Sequence, residues 1–215
     1  LNLNGDWTYK IEPRQPYHLT TGALEVKDDV QGFKDTITVP FAPESPLSGI
    51  GDKEFITTLW YHRTIEIPGN WSSKAILLHF GAVFYQAEIY IDGAYAGRHV
   101  GGSASFSVDI SNFVRAGGSH NLVVAVSNNL WNGTQPSGKQ SWKYDHYGCS
   151  YTRTTGIWQT VWMEAVDPGG LEEVQIVPDI DSGGFTLVPR FRSISSGQSW
   201  EAVFFLNGVE RGRSA

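Results

Sequence analysis

Along this chain the apolar residues recur at every second position in short runs, and glycine, proline and asparagine break the runs at intervals. From Ala87 to Ile91 the apolar Ala87, Ile89 and Ile91 alternate with Glu88 and Tyr90, the period of a strand with one buried face. Asp92-Gly93 follows, a pair suited to the positive φ values of a tight turn, and predicts a hairpin into a strand over Tyr95–His99. The same reading predicts strands over Leu3–Tyr9, Thr36–Val39, Leu59–Ile67, Lys74–Phe80, Ser105–Ile110, Asn121–Ser127 and Gly156–Ala165. Glu12–Lys34 reads as a long surface loop with at most one edge strand. Pro40–Asp52, with three prolines and two glycines, must be irregular. Asn128–Thr155 is long, aromatic and polar, and connections of that length inside a compact domain are usually functional or disordered. No stretch holds a 3.6-residue period over three turns; Ile110–Arg115 has room for one helical turn at most.

Asp167-Pro168-Gly169-Gly170 interrupts the pattern and is the best boundary. Beyond it, Leu171–Pro178, Phe185–Arg192 and Trp200–Leu206 read as three strands, with Asn207-Gly208 as a hairpin turn. Three strands cannot close a sandwich core. The expectation is an all-β chain with a sandwich over 1–166, a linker over 167–170, and the start of a second sandwich over 171–215.

Composition sharpens this picture. The 24 glycines, 10 prolines and 13% aromatic residues favour many short strands over helices. A net charge of −6 argues against the basic stripe that nucleic acid requires, and against anionic membranes. The longest apolar run, Ile76–Tyr85, is interrupted by His79 and Gly81 and is too short to span a bilayer. Cys149 is the sole cysteine, so no internal disulfide forms and the compartment stays open. The chain opens with LNLNGDW, without an initiator Met or a signal peptide, and is expected to be cut from something larger.

Aromatic residues crowd Trp131–Tyr151 and Trp158–Trp162. Aromatic faces stack on the apolar faces of sugars while neighbouring polar groups meet the hydroxyls. For Trp7, Trp60, Trp158 and Trp162, on alternating strands, core packing is the expectation. Trp131 and Trp142, on a polar loop, are open to a ligand or domain-contact role. The histidines are scattered without metal-ligand spacing, and Gly97–Gly102 reads as a turn and bulge, not a dinucleotide loop. No cofactor and no metal are therefore expected. Retaining hydrolysis of a glycoside needs two carboxylates about 5–5.5 Å apart. Glu172-Glu173 and Asp28-Asp29 are adjacent pairs whose side chains are expected on opposite faces of a strand, so no catalytic residue is assigned.

The pattern Ala87-x-Ile89-x-Ile91-Asp92-Gly93-x-x-x-Gly97, then His99-x-Gly101-Gly102-x-x-x-Phe106-x-x-Asp109-Ile110, resembles the sugar-binding, galactose-binding-like jelly-roll domain of family 2 glycoside hydrolases. Leu3-x-Gly5-x-Trp7, Val39-Pro40-Phe41-x-Pro43-Glu44-Ser45, Trp60-Tyr61-x-Arg63 and Thr154-Thr155-Gly156-Ile157-Trp158 extend the resemblance over 1–166 in the right order. It implies a jelly-roll domain, then the truncated start of an immunoglobulin-like domain, within a β-galactosidase or β-glucuronidase type enzyme. In that family the acid/base glutamate follows an asparagine in a barrel further downstream, and no Asn-Glu dipeptide occurs here. Lys139-Gln140-Ser141-Trp142-Lys143-Tyr144-Asp145 is similar to a β-glucuronidase stretch ending in a substrate-facing aspartate. By that resemblance Asp145 would accept hydrogen bonds from sugar hydroxyls. Asn129, with Asn128, stands where β-galactosidases carry a sugar-contacting aspartate, and Trp142 and Arg153 complete the implied substrate-binding set.

Plainer readings remain: Asp145 as a solvated loop acid, Arg153 as a loop-anchoring cation. At the level of the whole chain the rivals are a free-standing carbohydrate-binding module and a scaffold without sugar contact. The implied partners are carbohydrate and the downstream immunoglobulin-like and barrel domains. Self-association through unpaired edges of 171–215 is a further expectation.

Overall fold

The structure, a computed structural model, describes residues 1–12, 32–131, 133–194, 197 and 199–214. Most of the expected Glu12–Lys34 loop lies outside the described residues. The chain divides into two compact units, Leu1–Val166 and Asp167–Ala215.

The first unit is built from β1 (Gly5–Ile11), β2 (Asp35–Val39), β3 (Thr58–Glu66), β4 (Ala75–Phe80), β5 (Val83–Phe84), β6 (Gln86–Ile91), β7 (Ala94–Val100), β8 (Phe106–Asp109), β9 (Ser119–Ser127), β10 (Gly156–Ile157) and β11 (Val161–Val166). They form a six-stranded sheet ordered β2-β1-β3-β9-β6-β7, a three-stranded sheet ordered β11-β4-β8, and the pair β10-β5. The two larger sheets share one apolar core. Trp7, Leu59, Tyr61, Ile89 and Val124 enter it from the large sheet, and Leu78, Phe80, Val161 and Met163 from the small one. Each such side chain contributes roughly 1.5–3 kcal/mol through removal from water.

Alternation decides where the tryptophans go. Trp7 fills the core as expected. Trp60 is buried too, but on the opposite face of the large sheet with Tyr90, Val123 and Ala125, where its indole N–H donates to Glu12 at 2.9 Å. Trp158 and Trp162 are only half-buried, contrary to the core expectation. Trp162 sits between the buried Val161 and Met163, so the strand period turns it outward. There it stacks on His79 with centroids 4.8 Å apart. His79 also lies 2.6 Å from Ser107 Oγ and 3.1 Å from Glu164, a polar ladder across the small sheet.

The Asp92-Gly93 turn has φ values of 48° and 79°. Asp92 ties the turn to β9, accepting from the Asn121 N–H at 2.7 Å and lying 2.6 Å from His120 Nδ1. The register of β6 on β7 shifts between Ile89 and Tyr90, opposite Gly97 and Tyr95, which is the bulge expected near Gly97.

The single closing strand expected over Gly156–Ala165 is two strands. β10 pairs with β5 and β11 with β4. Between them the chain steps over Gly81, where an added Cβ would come within 2.7 Å of Gln159. Gln159 and Thr160 are exposed, so the apolar run is broken where pairing changes partners.

The second unit contains two hairpins, β12 (Leu171–Asp179) with β13 (Gly184–Phe191), and β14 (Ala202–Leu206) with β15 (Val209–Ser214). Phe185 and Phe204 bring their rings to 5.3 Å. Among the described residues four strands stand where three were expected. β15, Val-Glu-Arg-Gly-Arg-Ser, carries no apolar alternation and is exposed throughout; it is specified by the Asn207-Gly208 turn, with φ values of 52° and 77°. Glu172 and Glu173 are not on opposite faces either. A register shift between Leu171 and Glu173 lets both reach Arg190, at 3.3 and 2.9 Å.

Candidate functional site

The Asn128–Thr155 loop leaves β9 and returns into β10, and hydrogen bonds close its stem. Asn128 donates its main-chain N–H to the Thr57 carbonyl at 2.9 Å and its amide to Thr155 Oγ1 at 3.0 Å. Gln135 donates to Asn128 Oδ1 at 2.8 Å and accepts from the Asn129 N–H at 2.9 Å. Thr155 donates its N–H to Glu44 at 3.1 Å.

Glu44 is buried in the Pro40–Asp52 loop, just before a 3₁₀ turn over Pro46–Ser48 that Ser45 caps. Burial pushes its carboxyl above the ordinary value, while hydrogen bonds from Thr155 and the charge of Arg153 pull the other way.

The middle of the loop is ordered around Ser141, which is fully buried. Its hydroxyl accepts from the Lys143 N–H at 3.1 Å and donates to the Asp145 carbonyl at 2.7 Å. Ser141 N–H donates to the Tyr151 carbonyl and Tyr151 N–H to the Lys139 carbonyl, both at 2.7 Å. Gln140 accepts from the Thr154 N–H at 2.8 Å.

Arg153 lies beneath this segment, only 3% exposed. Its guanidinium donates to the Ser141 carbonyl at 3.3 Å and the Tyr144 carbonyl at 3.1 Å, and also to the carbonyls of Lys143 and Lys53. It rests on the Phe55 ring, 4.0 Å from the centroid, and Phe55 in turn meets Trp131 at 4.3 Å.

The structure therefore separates the four residues expected to bind substrate. Asp145 and Trp142 are both exposed on the tip, Trp142 being 58% exposed. Lys143 Nζ lies over the Trp142 and Tyr147 rings, at 5.2 and 4.6 Å. Asn129 belongs to the stem, where its carboxamide oxygen accepts from the Trp131 N–H at 3.1 Å and closes a turn. Arg153 points at main-chain carbonyls, away from the surface where a sugar hydroxyl would meet it. A shallow cleft adjoins the stem, walled by Phe55, Thr57, Asn128, Trp131, Arg153 and Thr155 among others. It is far too small to enclose a sugar ring. Glu44, Phe55 and Ser141 received no role from sequence. Glu44 stood in a proline-rich motif, which was its one signal.

With this geometry in view, the comparisons are specific. The model of the family "Glycosyl hydrolases family 2, sugar binding domain" matches residues 36–163, more than half of the chain. The chain belongs to this family. Its sequence is 24% identical over 216 residues to a β-galactosidase of Thermoanaerobacter pseudethanolicus, covering 97% of this chain and 27% of that protein. It is 30% identical over 142 residues to a β-glucuronidase of Paenibacillus borealis, covering 64% of this chain and 22% of the relative. The chain thus spans about a quarter of the length of these curated relatives. Among solved structures, the Faecalibacterium prausnitzii β-glucuronidase superposes with a TM-score of 0.72 at 19% identity, covering all of this chain and 38% of that one. A Ruminococcus gnavus β-glucuronidase in complex with D-glucaro-d-lactam gives 0.73 at 17% identity, covering all of this chain and 37% of its own. These two likenesses speak for the all-β fold.

Proposed function

We propose that this chain is the non-catalytic N-terminal part of a family 2 β-glycosidase of the β-galactosidase or β-glucuronidase type. The parent reaction is retaining hydrolysis of a terminal β-linked sugar, with the two carboxylates in a barrel beyond an immunoglobulin-like domain. The chain's own task is to buttress that barrel and to reach the rim of the active site with the Asn128–Thr155 loop. One observation carries this reading: Trp142 and Asp145, three positions apart, are both exposed on a tip whose base is hydrogen-bonded shut. An aromatic face beside a free carboxylate is the pairing that recognises a sugar ring and its hydroxyls.

A hydrogen bond to a charged group contributes about 1.5–3 kcal/mol. Asp145→Ala in the complete enzyme is therefore expected to lower kcat/KM at least about tenfold on the better of a nitrophenyl β-galactoside and β-glucuronide. The melting temperature should hold, since surface-loop substitutions usually cost under about 0.5 kcal/mol. Full activity in the verified variant would make Asp145 a solvated loop acid. The 215-residue chain alone is expected to match buffer in both assays, and to show no micromolar site for galactose or glucuronate by calorimetry.

A further inference from the structure

A buried guanidinium is costly to desolvate and persists only where its donors are used. The two terminal nitrogens of Arg153 donate to main-chain carbonyls. Three of the recipient carbonyls, Ser141, Lys143 and Tyr144, lie in the segment that leads into Asp145. The fourth, Lys53, belongs to the neighbouring connection. Phe55, two residues on from Lys53, supplies the ring on which the guanidinium rests. The cation thus pins one loop to another across its own plane. Ser141 adds the last link, its hydroxyl holding the Asp145 carbonyl at 2.7 Å.

We infer that Arg153 is a positioning residue: it sets the conformation of residues 141–145 and, through them, the place of the Asp145 carboxylate, without itself meeting the sugar. Lysine cannot substitute. An ammonium is a point donor with three N–H groups, whereas these carbonyls are gathered around a planar fork. The geometry requires that fork.

The proposal has a structural arm that stands by itself and a kinetic arm that rests on the proposed role of the loop. In the structural arm, hydrogen exchange is followed on the 215-residue chain with and without Arg153→Lys. Amides of residues 141–151 are expected to exchange at least tenfold faster, and those of 122–126 in β9 to keep their rates. If Arg153→Lys loosens β9 as well, Phe55→Leu decides, because it removes the supporting ring and leaves the cation. Unchanged protection over 141–151 in the deciding variant overturns the inference.

In the kinetic arm, the complete enzyme is measured as Arg153→Lys, Asp145→Ala and the double variant. A positioning residue that acts through Asp145 predicts that the double variant loses no more kcat/KM than Asp145→Ala alone. Losses that multiply would mean that Arg153 acts by another route, and would overturn the assignment. Faster exchange over 141–151 with kcat/KM intact in both single variants would leave Arg153 as the loop's anchor and overturn the loop's proposed contact with substrate.

Discussion

β9 and the loop that follows it are consecutive in sequence and are held in place by opposite means. In β9, Leu122 to Val126 are all apolar and all buried, so both faces of the strand are removed from water. Among the described residues of the loop the buried ones are the polar Asn128, Ser141, Arg153 and Thr155, while Trp131, Trp142, Tyr144 and Tyr151 are exposed. Apolar burial is non-directional and forgiving of small shifts. A buried polar group is stabilising only with its partner in place, and losing that partner costs about 1–3 kcal/mol. The buried framework of the loop is therefore polar and directional, and its aromatic residues stay at the surface.

The sharpest break of this contrast is Leu122→Ala. A cavity in the wall of the core should cost about 2–5 kcal/mol, read as a lower denaturation midpoint for the whole 1–166 unit. Gly156→Ala comes next, at the junction of loop and core. Its φ is 76°, and an added Cβ would stand 2.0 Å from the Tyr61 hydroxyl, whose oxygen accepts from the Ile157 N–H. Destabilisation above about 1 kcal/mol by chemical denaturation is expected; a neutral result would mean that the loop, not the core, sets this turn.

Glu44 gives a pH test. Burial raises its folded-state pKa above the ordinary 4.5, so the folded chain binds the proton more tightly than the unfolded one. Glu44 therefore favours folding most at pH below 4.5, and that advantage is lost as pH rises from 4.5 through the raised value. Denaturant midpoints compared across that window should show a downward component that Glu44→Gln removes. The same slope in both proteins would place its origin elsewhere. Smallest of all is Trp142→Ala, expected to change stability by less than about 0.5 kcal/mol, since the indole packs on the surface. A larger loss in calorimetry would show that the tip contributes to the fold.

Much of the sandwich was legible because its strands obey a two-residue period and its turns carry their own residue types. Asp92-Gly93 and Asn207-Gly208 announce positive φ directly. What was hidden lacked an apolar period. β15 is polar and exposed, marked only by the turn before it and by its pairing with β14. The split between β10 and β11 depends on where Gly81 lets the chain cross. Of the site, the exposed Trp142 and Asp145 were legible as a tip. In the base, Arg153 was open to the reading of a loop-anchoring cation, but its partners and the role of Ser141 were hidden, because both bond to carbonyls, which every residue carries and no side-chain pattern marks.

The closed stem has a consequence for how this part of the chain can change over generations. Asn128 and Thr155 are bonded to each other, so the span between them is already a closed ring of chain whatever its tip contains. For a flexible segment closed in this way, each doubling of length adds only about 0.6 kcal/mol of closure entropy. Within that ring the carbonyls of Lys143, Tyr144 and Asp145 are held from below, so the bonds fix the spacing of the main chain while leaving the side chains they do not touch open to change.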